Sequence, residues 1–342
     1  MIDKWQIFLA SRGAVYANDV VHHFGNAASE LVATDQGAVI ADLSHDGLLH
    51  VSGADALTFL QGQLTQDISK ITTSRAALAG YCSPKGRLLA HFLVWQQNDG
   101  YCLQLPRELL AVIQKRLQMY VLRSKVKLQD ISAQTLRFGL AGPHIPMALS
   151  TACGETRQEA WSVTSCLGGS VITLPGGRYQ VVANENAEAL WTTLSDTATQ
   201  VGEPCWRWLR IQTGLPEIYL ATQDQFVPQM VNDDLIGAVN FQKGCYTGQE
   251  IVARMHYLGK PKRRMYRAHL RDGGQPKPGD LLYSEEMQGQ ASGMVVDGAP
   301  APKGGWDGLV SVQVESANTQ PIYWPKLAGE KLVLAALMEN LT

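Results

Sequence analysis

Between residues 48 and 131 the apolar residues change period in an order that few folds accept. Residues 48–52 form a short apolar run, and Gly53-Ala-Asp then opens a stretch with Leu57, Leu60 and Leu64 at helical spacing. Residues 78–82 read as a strand and Ser83-Pro-Lys-Gly86 as a turn. A long strand over 87–96 is folded back by Asn98-Asp-Gly100 into 101–105. After Pro106, Leu110, Ile113, Leu117 and Tyr120 recur at helical spacing, and 125–131 closes the unit as a strand. Strand, helix, strands, helix, strand is the order of a split βαβ, ferredoxin-like module.

A similar order recurs without sequence identity. Residues 135–140 are expected to form a strand, a short helix follows Pro143, a hairpin turns at Pro175-Gly-Gly177, and helices cover 187–194 and 205–212. Trp206 and Trp208 in the last helix are expected in the core. From Lys262 onward, apolar runs at 281–283, 293–296, 309–314 and 332–337 alternate with Gly and Pro turns, the texture of a small antiparallel barrel. The predicted fold class is therefore α+β, with two ferredoxin-like modules and a C-terminal β-barrel entered through the linker Gly259-Lys-Pro261.

With 342 residues, 45% of them hydrophobic, the chain can bury several cores, and its length fits two or three domains. A net charge of −2 argues against a globally nucleic-acid-binding protein. The six cysteines, at 82, 102, 153, 166, 205 and 245, form no CxxC pair and no zinc-spaced cluster, and His22-His23 has no third ligand at useful spacing. No signal peptide follows Met1-Ile-Asp-Lys-Trp5, and the longest uncharged stretches are broken by Gly, Pro, Ser and Thr. A monomer in a reducing cytoplasm, with no membrane partner, is the expected setting. No dinucleotide, Walker or nucleophile-elbow motif is present.

One thiol stands apart. Lys243-Gly244-Cys245-Tyr246-Thr247-Gly248-Gln249-Glu250 sets Cys245 two residues from a cation and just ahead of a helix expected over 251–257, with Thr247 and Glu250 spaced as a capping box. Cation and helix dipole would both favour thiolate over thiol. The other five cysteines lie in or beside apolar patterns and read as structural.

This octapeptide resembles the signature of the YgfZ-type folate-binding proteins, relatives of the glycine-cleavage T-protein, an aminomethyltransferase. So do Gly53-Ala-Asp-Ala-Leu-Thr-Phe-Leu-Gln-Gly-Gln-Leu-Thr-Gln-Asp-Ile68, Cys82-Ser-Pro-Lys-Gly-Arg87, Val121-Leu-Arg-Ser-Lys-Val126 and Phe226-Val-Pro-Gln229, in family order. The resemblance implies a GcvT-like ring of three domains around a central folate site. These are a discontinuous folate-binding module from 1–47 and 132–258, a ferredoxin-like module over 48–131 and a barrel over 262–340. It implies tetrahydrofolate, or a one-carbon derivative, as the cofactor, held by Asp67, Gln212, Arg254 and Tyr246. Cys245, Lys243 and Asp67 would be the chemically active residues, with Arg123 helping to form the surface near Cys245. It implies, finally, support for the assembly or repair of iron–sulphur enzymes, tRNA thiomethylases among them, as partners.

Two readings compete with this one. Aminomethyl transfer is the first, but Gln66 stands where the T-protein carries Asn, Gln212 where it carries a pterin-holding Glu, and the T-protein has no counterpart of the octapeptide. Direct tRNA binding is the second, because Arg254, Lys260, Lys262, Arg263, Arg264, Arg267 and Arg271 fall between Glu250 and Asp272 with no acid among them. Most of these basic residues read as a solvated linker and barrel edge. Taken without the resemblance, Asp67 is a turn aspartate that bonds its own backbone.

Overall fold

The structure, a computed structural model, describes residues 2–166, 168–183, 186–271, 274–326 and 329–337. The first module contains strand Asp46–Ser52, helix Ala56–Gln63, strands Ala77–Cys82, Leu88–Gln97 and Gly100–Pro106, helix Arg107–Val121 and strand Lys127–Asp130. Its five strands make one sheet in the spatial order Ala77–Cys82, Leu88–Gln97, Gly100–Pro106, Asp46–Ser52, Lys127–Asp130. Every neighbouring pair is antiparallel. Four of these strands have the split βαβ order, and Ala77–Cys82 adds an outer edge. The helix Ala56–Gln63 buries Ala56, Phe59 and Leu60, whereas Leu57 faces solvent. The apolar stripe expected through Leu64 is displaced because Leu64 already lies beyond the helix, in an extended bridge to Tyr81.

A second, six-stranded sheet runs Val163–Cys166, Gly169–Leu174, Arg178–Ala183, Leu136–Ala141, Val39–Asp42, Thr199–Val201. Val39–Asp42 comes from the first 47 residues and pairs in parallel with Thr199–Val201, the other pairings being antiparallel. Trp5 anchors this side: its ring lies 6.3 Å from Phe138 and 5.3 Å from Trp191, and its Nε1 donates to Asp42 Oδ1 at 2.8 Å. The two sheets share a core in which Leu48, Trp95 and Cys102 meet Val39, Ala41, Ile172 and Val182. Across it Gln180 Nε2 donates to Gln104 Oε1 at 2.7 Å.

The remaining strands, Arg263–Leu270, Trp306–Gln313, Ala291–Pro300, Leu281–Tyr283, Ile322–Trp324 and Glu330–Ala335, close into a barrel. Residues 338–340 of the expected barrel lie outside the described residues. Arg263–Leu270, hidden in the sequence by its charges, pairs on both sides, with Trp306–Gln313 and Glu330–Ala335. The helix Glu203–Gln212 joins all three units. Trp206 packs on Gly139, where a Cβ would come within 2.6 Å of the indole, and Trp208 donates its Nε1 to Asp307 of the barrel at 2.7 Å. Both tryptophans are buried. Among the described residues no helix is long and apolar enough to cross a membrane.

Candidate functional site

Four of the five sequence motifs converge on one place. After helix Ala56–Gln63 the chain turns, leaving carbonyls without intrahelical donors. Lys243 Nζ donates to the carbonyls of Gln61, Leu64 and Gln66 at 2.8, 2.6 and 2.7 Å. An ammonium has three N–H groups, so all of them are used. A cation at a helix C-terminus is also favoured by the dipole. Burial pushes the Lys243 ammonium down to about 8, against the pull of the Asp67 carboxylate. The lysine expected to poise the thiol therefore fastens its loop to the first module. The Tyr246 ring is buried, 5.4 Å from the same ammonium.

Past the thiol, Gly248 is the N-cap of helix Gln249–Leu258, at φ 80° and without a side-chain capping bond. The capping box expected of Thr247 and Glu250 is not formed. The reason lies in a close approach to the Ser83–Gly86 turn: a Cβ at Gly248 would lie 2.4 Å from the Ser83 carbonyl, and one at Gly86 2.8 Å from Ile251 Cβ. The backbones touch only because both residues are glycine. Gln229 of the Phe226–Gln229 motif donates its Nε2 to the Val252 carbonyl of the same helix at 2.8 Å. Thr65 accepts the Asn240 amide at 3.0 Å and donates its Oγ1 to the Ala238 carbonyl at 2.7 Å. Cys245 stands exposed in the middle of this framework.

The fifth motif lies elsewhere. Lys125 N donates to Asp55 Oδ2 at 2.7 Å, which puts the exposed Arg123 beside the N-terminal end of helix Ala56–Gln63. The lysine clamp is at the other end, roughly 12 Å away along eight residues of helix. Arg123 and Cys245 are thus not brought together by this helix.

Asp67 is bonded locally. It caps the 3-10 turn Ile68–Lys70 and accepts from Ser69 Oγ (2.6 Å), Ser69 N (3.2 Å) and Gln61 Nε2 (3.0 Å). The Ser69 bonds foremost hold its carboxyl below the usual carboxylate range, although partial burial opposes them. Gln212 is bound to the barrel, accepting from Arg267 at 3.0 Å and donating to Asp307 at 3.1 Å. Arg264 forks onto Asp234 at 2.6 and 2.9 Å, and Arg263 donates to the Ala291 carbonyl at 3.3 Å. Arg254, Lys260, Lys262 and Arg271 remain exposed.

Sequence reasoning missed the polar line buried between the units. His91 Nε2 and Asp233 Oδ2 are 2.8 Å apart, at 1% and 0% exposure. Arg210 donates to Glu217 (2.5 Å), Tyr219 Oη (2.6 Å) and Asp297 (2.9 Å). Burial pushes the Glu217 carboxyl up to about 7; Arg210 pulls it back, while Asp46 and Asp297 add to the rise. Asp233 Oδ1, Gln229 Oε1 and Arg210 Nε are buried and have no hydrogen-bond partner among the described residues. The available signals were a histidine inside the apolar strand Leu88–Gln97 and the Asp233-Asp234 pair after the Phe226–Gln229 motif. Among the described residues no group of three or more His, Cys, Asp or Glu could hold a metal ion.

Comparison with known proteins fits this geometry. The family model described as the GCVT N-terminal domain matches residues 8–172. The protein named tRNA-modifying protein YgfZ from Yersinia pestis (strain Pestoides F) is 32% identical over 253 residues, 72% of this chain and 76% of its own length. Its namesake in Vibrio atlanticus (strain LGP32) is 32% identical over 62% of this chain, and the match spans 64% of that protein, just under two thirds. The glycine cleavage system aminomethyltransferase T of Bartonella henselae superposes with a TM-score of 0.79 over 99% of this chain and 97% of its own. At 17% identity that likeness establishes the fold.

Proposed function

This chain belongs to the YgfZ family of tRNA-modifying proteins, and from that premise we propose that it is a tetrahydrofolate-binding accessory protein of tRNA modification whose working group is Cys245. One observation carries the reading. In the octapeptide Lys243 and Tyr246 are buried, while Cys245 is the one exposed cysteine of six. A loop fastened on both sides of a single exposed thiol is suited to presenting it. Cys82, Cys102 and Cys205 are buried, and burial pushes the Cys102 and Cys205 thiols up to about 12, where they are inert at neutral pH.

The cofactor's place is the junction of the three units. A pterin offers N–H donors beside a carbonyl, and the unpartnered Asp233 Oδ1, Gln229 Oε1 and Arg210 Nε supply two acceptors and a donor of the matching kind. The donor set fits. Gln212 and Asp67 have side chains already bonded to protein, and the buried Tyr246 ring lies 5.4 Å from the Lys243 ammonium. When bound, a one-carbon derivative of tetrahydrofolate would supply a one-carbon unit. The chain's own part is to hold the ring through these groups, exclude water with its buried walls and keep Cys245 at the rim. The proposed clients are iron–sulphur enzymes such as tRNA thiomethylases, toward which the exposed Cys245 sulphur is a transient ligand for iron.

Titration with 5-formyl-tetrahydrofolate of wild type and Cys245→Ala tests the cofactor and thiol roles separately. Equal binding by both proteins is expected, with thiomethylase activity in a deletion strain restored by the wild type alone. Iodoacetamide should label Cys245 first. Absence of binding at near-millimolar ligand, or full complementation by soluble Cys245→Ala, would overturn the corresponding half of the proposal.

A further inference from the structure

The loop that carries Cys245 also carries an aromatic shelf for which the proposed function has no use. Phe241 stacks on His256 with centroids 3.7 Å apart and planes 12° apart, and Tyr257 meets them edge-on at 6.2 and 4.8 Å. The shelf walls a hollow of about 440 Å³ that Gln66, Asn240 and Gln242 line with amides. Its floor is fixed, since Gln66 Nε2 donates to the Gly237 carbonyl at 2.6 Å and the Asn240 amide to Thr65 at 3.0 Å. Tyr257 is 65% exposed, and His256 is exposed beside it. Exposed Arg254, Lys260 and Lys262 flank the shelf, in a stretch with no acid from 251 to 271.

Flat π faces, amides within reach of a base edge and exposed cations alongside are the parts of a single-strand nucleic-acid site. The centre of a protein–protein interface is instead depleted of lysine. We propose that this shelf binds unpaired nucleotides of RNA, with a base on Tyr257 and His256 and its phosphates on Arg254, Lys260 and Lys262. The inference deepens the proposed function and rests on it in one respect: it sets the RNA itself, rather than only an RNA-modifying enzyme, beside Cys245.

Fluorescence anisotropy with the full chain tests it, using a labelled unstructured RNA of about ten nucleotides and a duplex of the same length. The single strand should bind more tightly than the duplex. Tyr257→Ala should weaken it about fivefold or more, while Tyr257→Phe, which keeps the stacking face, should bind as wild type does. Lys260→Ala with Lys262→Ala should lower the salt slope by about 1.4, two phosphates at about 0.7 each. Met119→Ala, equally exposed at 61% but on the helix Arg107–Val121, should change nothing. Preference for duplex, or unaltered binding by Tyr257→Ala, overturns the proposal. So does a Tyr257→Ala protein that keeps RNA but loses a co-purifying enzyme, which would make the shelf a protein contact. Folate titrations on the same variants separate the two readings: RNA binding without folate binding sinks the proposed function alone, and the reverse sinks this inference alone.

Discussion

Lys243 and Arg210 are both largely buried cations at unit boundaries, and they are neutralised in opposite ways. Lys243 is held by three backbone carbonyls from one segment, Gln61 to Gln66. Arg210 is held by side chains from separate segments, Glu217, Tyr219 and Asp297, and shares Tyr219 and Asp297 with Arg207, which lies 4.0 Å from Asp297. Carbonyl dipoles cannot titrate or move far, so while the ammonium keeps its proton, below about 8, the Lys243 joint is a fixed hinge pin for the thiol loop. Carboxylates can titrate, so the Arg210 joint changes with pH. The difference separates a place built for constant geometry from one built to accommodate charge.

Arg210→Ala should show the largest effect, about 3–5 kcal/mol of lost stability in urea unfolding, because it strands Asp297 and Glu217 in a buried site. A loss below about 1 kcal/mol would mean that Arg207 suffices and that the cluster is no network. Lys243→Met should come next. It keeps the aliphatic stem but leaves three carbonyls without a donor, costing about 1–3 kcal/mol. Its mark is local: hydrogen exchange should quicken across 243–248 and leave the barrel unchanged, and a uniform increase would erase the distinction between the two joints. The smallest effect is a change of slope. Glu217 is raised from 4.5 to about 7, so between those values the folded chain holds a proton that the unfolded chain has released. Its contribution to stability is therefore full at low pH, falls as pH rises toward about 7 and is flat beyond. Glu217→Gln should flatten the decline of the thermal midpoint across that window, while the Lys243 joint, titrating near 8, stays constant through it. Parallel slopes in the two proteins would show Glu217 ionised in the fold.

The octapeptide was legible as a special place because its unusual residues are adjacent in sequence: a lysine, a cysteine and two glycines in eight positions. What Lys243 does was not legible, since its acceptors are main-chain carbonyls, which every residue possesses. The capping box misled for a related reason. Thr247 and Glu250 have the right spacing, but the demand of the Ser83–Gly86 turn on Gly248 decides the local backbone. Periodicity located the split βαβ sheet and the barrel, yet missed strand Arg263–Leu270, where Arg264 and Arg267 point to Asp234 and Gln212 instead of solvent. Asp67 and Gln212 were proposed from motif position, whereas Asp233 lies outside the motifs and Gln229, inside one, was not singled out. Only the tertiary fold shows that a buried oxygen lacks a donor.

The carbonyls that grip Lys243 precede it by 177 to 182 residues. During synthesis the first module can therefore fold while the residues of the thiol loop have yet to emerge from the ribosome. Until they arrive, the end of helix Ala56–Gln63 shows bare carbonyls and Gly86 has nothing to meet. A chain cut short before Lys243 can carry a folded first module with its buried Cys82 and Cys102 but no exposed Cys245, and one released but not yet docked carries Cys245 on a loose tether. The presented cysteine is in this sense a mark that synthesis has passed the thiol loop, issued by a contact that no chain ending before Lys243 can close.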